Sequence, residues 1–89
     1  MEVVNKNNKV VPFDEEKVRH SILSAAMDAD FSLTTGDLDA LVTDVKNVLD
    51  VTTDDCRAAE REELIKSVCK VLSLNGFSKV KHAYKHRHH

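Results

Sequence analysis

The chain has little of several residue types that small proteins use to hold unusual structures. Tryptophan is absent, and there are one proline, two glycines and two cysteines. Cys56 and Cys69 stand thirteen positions apart with no Cys-x-x-Cys pair. The sequence therefore predicts neither a disulfide framework nor a zinc ribbon.

Long apolar runs and a surplus of one charge sign are also missing. No apolar run approaches the roughly 18 residues of a spanning helix, and residues 1–6 lack the basic start and apolar stretch of a signal peptide. The net charge of −2 argues against a general nucleic-acid binder, which usually carries excess Lys and Arg. We expect a cytoplasmic protein with no membrane and no nucleic-acid partner.

What is present is typical of a folded domain. Hydrophobic residues make up 42% and charged residues 31% of 89 residues, a size that supports one core. We expect residues 1–89 to form a single domain. The histidine-rich end, 85–89, resembles purification residues or a frayed terminus.

The first segment predicts a β-hairpin followed by a helix. Val3-Val4 and Val10-Val11 flank Asn7-Asn8, a pair that tolerates the positive φ of a two-residue turn, and Pro12 closes the second strand. Asp14 is a good N-cap for a helix running to about Ala29. Its apolar stripe is Val18, Ile22, Ala25 and Ala29.

The middle of the chain predicts a second helix and a short third strand. Thr35 is expected to cap this helix, whose apolar face is Leu38, Leu41, Val42, Val45, Val48 and Leu49. Residues 52–55 indicate a turn or cap. We place the third strand near Ala58 to Arg61.

Two further helices are predicted after this strand. Leu64, Ile65, Val68, Cys69, Val71 and Leu72 form a wide apolar face that ends at Asn75-Gly76, and Phe77, Val80 and Tyr84 share a face of the last helix. The expected fold class is α+β: a four-helix bundle capped by a three-stranded sheet, the hairpin plus one short strand.

Both ends of the chain resemble an ATP-cone domain. Residues 3–18 are similar to the opening pattern of that family, in which a strand and a Lys-Arg-Asp-Gly turn precede Val-Pro-Phe-Asp, two polar residues, a basic residue and Ile. Gly76-Phe77, Val80 and Ala83-Tyr84 are similar to the family's closing pattern. The resemblance covers nearly the whole chain.

The resemblance implies a nucleotide-sensing regulatory domain of ribonucleotide reductases. Such a domain binds ATP or dATP, with Mg²⁺, between sheet and bundle; ATP permits activity and dATP stops it, usually through oligomerisation. The chain would then be an excised N-terminal domain of a reductase large subunit or a free-standing relative. Its implied partners are an adenine nucleotide, other domains or subunits of the reductase, and further copies of itself.

The family's site can be carried over position by position. The family's Lys-Arg pair falls on Asn5 and Lys6, and the basic residue of its first helix falls on Lys17. The positions on its third helix that read the nucleotide fall on Arg61 and Ile65. Arg87, or the neighbouring His88 and His89, would supply the basic residue of the final helix. The expected nucleotide-binding residues are Val4, Asn5, Lys6, Asn7, Val11, Lys17, Arg61, Ile65 and Arg87.

Other interpretations stay open at this point. A cone that has lost its ligand would be a protein interaction module, and the repressor of reductase genes uses a similar cone behind a zinc ribbon that is missing here. His82 and His86 have zinc-ligand spacing, but no Cys, Asp or Glu accompanies them, so we expect no metal site. No catalytic constellation stands out, and we expect no enzyme activity from this chain.

Overall fold

In the structure, a computed structural model that describes residues 1–54 and 56–88, a two-stranded antiparallel sheet precedes four helices. The elements are β1 Glu2–Val4, β2 Val10–Pro12, α1 Glu15–Asp28, α2 Thr35–Thr53, α3 Arg61–Leu74 and α4 Ser78–Arg87. This is an α+β fold, as expected. Asp55 and His89, which carry part of the predicted turn and one predicted basic contact, lie outside the described residues.

The helices pack in a ring, each against the next, and α4 returns to α1. The predicted apolar faces are confirmed, since the side chains at their centres are buried. The half-buried members of these faces are Ala29, Val48, Leu64, Ile65, Cys69 and Phe77. Burial of this kind supplies the main stabilisation of a small bundle. The largest fully buried side chains are Ile22, Leu41, Leu49, Leu72, Val45, Val68, Val71 and Val80.

The hairpin turn is longer than predicted. The Asn5 amide donates to the Lys9 carbonyl at 2.9 Å and the Asn8 amide to the Asn5 carbonyl at 2.9 Å, which leaves a three-residue loop, 6–8. Within this loop only Asn8 has a positive φ, 62°, so the predicted two-residue turn at Asn7-Asn8 is wrong. The Asn5 side chain explains the extra residue, because it accepts from the amides of Asn7 and Lys9.

The third strand is reduced to one residue. Ala59 forms a parallel bridge with Val3: its amide donates to the Glu2 carbonyl at 2.9 Å, and its carbonyl accepts from the Val4 amide at 2.8 Å. Beyond it, the Glu60 amide donates to the Glu63 carboxylate at 3.0 Å, and this contact starts α3. The three-stranded sheet is therefore wrong in detail, and Arg61 is helical.

The ends of α2 also differ from the prediction. Thr34, not Thr35, is the N-cap, because only Thr34 stands three residues before Asp37: its hydroxyl accepts from the Asp37 amide, and the Asp37 carboxylate accepts from the Thr34 amide. The helix continues through Thr53, where a turn was expected. The hydroxyl of Thr53 donates to the Leu49 carbonyl at 2.9 Å, which satisfies it within the helix.

Helices α1 and α3 end in the same way. In α3 the Phe77 amide donates to the Leu72 carbonyl at 2.8 Å and the Gly76 amide to the Ser73 carbonyl at 3.2 Å. In α1 the Phe31 amide donates to the Ala26 carbonyl at 2.8 Å and Asp30 takes the position of the glycine. This pairing of hydrogen bonds defines a Schellman motif at each helix end.

Candidate functional site

An open groove of about 870 Å³ lies between the hairpin and the ends of α1, α3 and α4. Its volume falls within the roughly 300–1,000 Å³ of sites that bind small molecules. All of the predicted nucleotide-binding residues except Arg87 line it. They are Val4, Asn5, Lys6, Asn7, Val11, Lys17, Arg61 and Ile65.

The hairpin forms one wall of the groove with alternating polar and apolar side chains. Val4 and Val11 are half-buried aliphatic residues, whereas Lys6 at the loop is exposed. The Asn5 carboxamide oxygen is occupied by the amides of Asn7 and Lys9, at 2.9 and 3.0 Å. Asn5 therefore shapes the loop, and Lys6 adds a positive charge to the lining of the groove.

The N-terminal end of α1 carries charges of both signs into the groove. The Asp14 carboxylate accepts from the amides of Glu16 and Lys17, at 3.0 and 3.3 Å, so it already neutralises this helix end. Glu15 pairs with Lys46 at 3.7 Å. Among the described residues Lys17 has no ion-pair partner, and its exposed ammonium group stays available for an anion.

The first turns of α3 form the opposite wall. Arg61 is the first residue of the helix and is exposed, and no described residue forms an ion pair with it. Leu64 and Ile65 follow on the same face and are half-buried. This wall therefore offers one cation beside an apolar surface.

The end of α4 closes the groove through Tyr84 and His88. Tyr84 is 2% exposed, and burial raises the pKa of its hydroxyl group. The His88 ring stacks on Tyr84, with centroids 4.2 Å apart. Burial, followed by the positive charges of Arg61 and Arg87, lowers the pKa of the His88 imidazole.

Arg87 stands apart from the other predicted residues. Its guanidinium donates to the Asp28 carboxylate at 2.6 Å, so it joins α4 to α1. It lines a second cavity of about 500 Å³ that shares Glu16, Lys17, Ser21 and His88 with the groove. A ligand in the groove would meet His88 before it met Arg87.

The comparison with known families bears on this geometry. A family model described as the ATP cone domain matches residues 1–89, the whole chain. The chain belongs to the ATP-cone family. No curated protein and no solved structure gives a significant match to it.

ATP-cone domains are regulatory, non-catalytic domains that bind ATP or dATP as allosteric effectors. The groove of this ATP-cone lies between sheet and bundle, where the resemblance placed the nucleotide. The residues fit such a ligand, because half-buried aliphatic side chains and cations with no acidic partner in the described part of the chain line the same space. Its contacts with nucleotide stay predictions at the level of single residues.

Several groove residues of this ATP-cone were missed from sequence. Ser21 lies four residues after Lys17, and Leu64 three residues after Arg61, so helical spacing from the predicted cations would have found both. Tyr84 was placed on the apolar face of the last helix and not among the site residues, and it belongs to both core and groove. Glu16 gives no separate signal, since acidic residues are common in the first turn of any helix.

Neither the histidines of α4 nor the hydropathy of the helices adds a further kind of site to the described part of this ATP-cone. His82 and His86 are exposed on α4, and within the described residues no three His, Cys, Asp or Glu side chains gather closely enough to hold a metal ion. None of the helices in the described ranges combines the length and hydropathy needed to cross a membrane.

Proposed function

We propose that this ATP-cone binds ATP or dATP in the groove and thereby regulates a ribonucleotide reductase. The observation that carries the proposal is the meeting of Lys6, Lys17 and Arg61 around one groove, although they come from the hairpin, α1 and α3. Three cations without acidic partners among the described residues suit a triphosphate, which carries several negative charges.

The aliphatic side chains of the groove would hold the rest of the nucleotide. Val4, Val11 and Ile65 are half-buried and line the same space as the cations. The flat face of a purine base can cover such side chains and remove more of their surface from water. We expect the base to pack against these residues and the phosphates to extend toward Lys17.

Magnesium would enter with the nucleotide. Mg²⁺ is commonly held by substrate phosphates, water and one or two carboxylates. Asp14 and Glu16 line the groove just before Lys17, as does Glu15, which pairs with Lys46. We expect them to contact the hydrated ion and not to form a site of their own.

Regulation requires more than occupancy. The groove separates the hairpin from the helices, so a bound nucleotide touches both and can change their relative positions. An effector shifts an assembly equilibrium only by as much as it binds one state better than the other. We propose that ATP and dATP favour different arrangements of the hairpin, and hence different contacts with other reductase domains, reductase subunits or further copies of the chain.

The proposal is tested by thermal unfolding of the chain with millimolar ATP, dATP or GTP and Mg²⁺. A ligand at about 100 times its dissociation constant adds about 2.7 kcal/mol, which raises Tm by roughly 10 to 20 °C for a domain of this size. Lys17→Ala should remove most of this shift. Lys70→Ala is the matched control, because Lys70 is an exposed lysine on α3 outside the groove.

A specific observation favours one alternative, a cone that acts as an interaction module without nucleotide. The Asn5 side chain is committed to the hairpin loop, so one of the two positions at which the family carries a basic pair is a structural residue here. This alternative predicts an unchanged Tm with every nucleotide. Equal shifts with GTP and ATP would instead contradict recognition of adenine.

A further inference from the structure

His88 lies where the groove meets the second cavity and lines both of them. Its ring rests on that of Tyr84, with planes tilted by 36°. Tyr84 is almost fully buried, and Ser21 lines the groove together with it. The imidazole therefore has a fixed support on one side and ligand-accessible space nearby.

One nitrogen of this imidazole has no hydrogen-bond partner among the residues that the structure describes. His88 Nε2 is buried, and no described residue offers it a hydrogen bond. A buried polar atom without a hydrogen-bond partner costs free energy. The ring also breaks no hydrogen bond at this nitrogen if it turns toward the groove to meet a ligand. His88 is also the C-cap of α4 and follows its last helical residue, which leaves the side chain room to turn.

The charges around His88 oppose its protonation when the groove holds no ligand. Burial is the largest cause of its lowered pKa, and Arg61 from α3 and Arg87 from α4 add to it. An anionic polyphosphate would reverse this field. The other titratable and charged groups that line the two cavities, from the hairpin, α1, α3 and α4, are Lys6, Asp14, Glu15, Glu16, Lys17, His20, Arg61, Tyr84 and Arg87.

We propose that His88 takes up one proton from solvent when a nucleoside polyphosphate enters the groove, and that the resulting imidazolium binds a phosphate oxygen. The inference rests on the function proposed above and deepens it. The Tyr84 ring supports the charged form, because an aromatic face attracts a cation. Nucleotide binding would then sense pH.

The direction of the pH dependence follows from linkage. In the bound state His88 has a higher pKa than in the free state, so binding takes up protons between these two pKa values. Affinity consequently rises as pH falls through this window, by at most tenfold per pH unit for one proton. It levels off below the free-state pKa, where His88 is charged before the ligand arrives.

The test is the pH dependence of ATP affinity, measured by calorimetry on the full chain from about pH 8 to about pH 6. His88→Gln keeps a polar side chain without a titrating charge, and His88→Arg keeps a permanent charge. His82→Gln is the matched control, since His82 is exposed on α4 and lines neither cavity. Protonation of ATP itself affects all four proteins equally, so their differences report on His88.

We expect the native chain and His88→Gln to bind similarly near pH 8, and the native chain to bind about three- to tenfold more tightly near pH 6. His88→Arg should keep the tighter binding throughout. Calorimetry of the native chain in two buffers of different ionisation enthalpy should give proton uptake that His88→Gln lacks. Parallel pH profiles for the native chain and both His88 variants would overturn the proton linkage alone, whereas no ATP binding by any chain at any pH would overturn the proposed function with it.

Discussion

Phe31 and Phe77 occupy the same position in two copies of one motif, and their rings meet edge to face with centroids 5.6 Å apart. Each is the second residue beyond a helix C-cap, after α1 and after α3. Each donates its amide to the carbonyl of the last full turn, Phe31 to Ala26 and Phe77 to Leu72. The two helix ends are therefore capped by their own hydrogen bonds and also pack against each other through the two rings.

The two motifs differ at the residue before each phenylalanine, which gives the first prediction. Gly76 has φ of 81° and open space where a Cβ would lie, while Asp30 adopts φ of 54° with a side chain. Gly76→Ala should cost roughly 1 to 2 kcal/mol through backbone conformation alone. Gly76→Asn should cost less, because asparagine tolerates this region.

The chain's other glycine is the control. A Cβ on Gly36 would meet only the Thr34 hydroxyl oxygen at 3.8 Å, an ordinary contact, and Gly36 lies in the first turn of α2. Gly36→Ala should leave stability unchanged or raise it by up to about 1 kcal/mol. Urea unfolding of the three variants checks the order, and an equal loss from both alanine substitutions would contradict it.

The second prediction concerns stability in acid. Both guanidinium nitrogens of Arg57 contact Glu63, at 2.6 and 2.8 Å, and the same carboxylate accepts from the Glu60 amide. The Arg57 hydrogen bond, followed by that of the Glu60 amide, lowers the Glu63 pKa to about 2. Because the folded-state pKa lies below the unfolded-state value, this stabilisation is complete above about pH 4.5 and is lost as pH falls toward 2.

Glu63→Gln should therefore lower stability at neutral pH and flatten the loss of stability between about pH 4.5 and 2. Glu62→Gln is the matched control on the same turn, since no described residue forms an ion pair with Glu62. Denaturant unfolding at several pH values makes the comparison. Indistinguishable acid profiles for the two variants would rule out Glu63 as the source.

The third prediction separates the two roles of Asp14, which caps α1 and lines the groove. Asp14→Asn keeps a good N-cap and removes one negative charge, whereas Asp14→Ala removes both and should cost about 1 kcal/mol. Because Asp14 is expected to contact the hydrated magnesium ion, Asp14→Asn should weaken ATP binding by roughly twofold to fivefold. Titrations of ATP with Mg²⁺ into each variant measure this change. Tighter binding by Asp14→Asn would indicate instead that the carboxylate repels the phosphates.

The sequence predicted the helices well because their apolar spacing is a local signal. The faces of α2 and α3 lie against each other as the periodicity of Leu38–Leu49 and Leu64–Leu72 indicates. Errors occurred where two local signals compete: Thr34 and Thr35 are both capping residues, and Asn5, Asn7 and Asn8 are all turn residues. Only the partner of each side chain decides between them, and the partner is visible in three dimensions.

The sequence predicted which residues line the groove better than it predicted which of the charged residues form ion pairs. The resemblance collected residues from the hairpin, α1 and α3 that the structure brings to one groove. It could not foresee that Arg87 pairs with Asp28 on another helix. Contacts between α1 and α4 depend on how the bundle closes, and no motif encodes them.

The parallel bridge between Val3 and Ala59 affects how the groove comes into existence during folding. A two-stranded hairpin is marginal in water by itself, and this one is held against the helices partly by two hydrogen bonds to a residue that follows α2. Closing so long a loop carries an entropy cost that only the packed bundle can offset. We therefore expect the hairpin to dock late in folding and to detach first in unfolding. A nucleotide that contacts both walls of the groove would then stabilise the part of the chain that separates most easily from the rest.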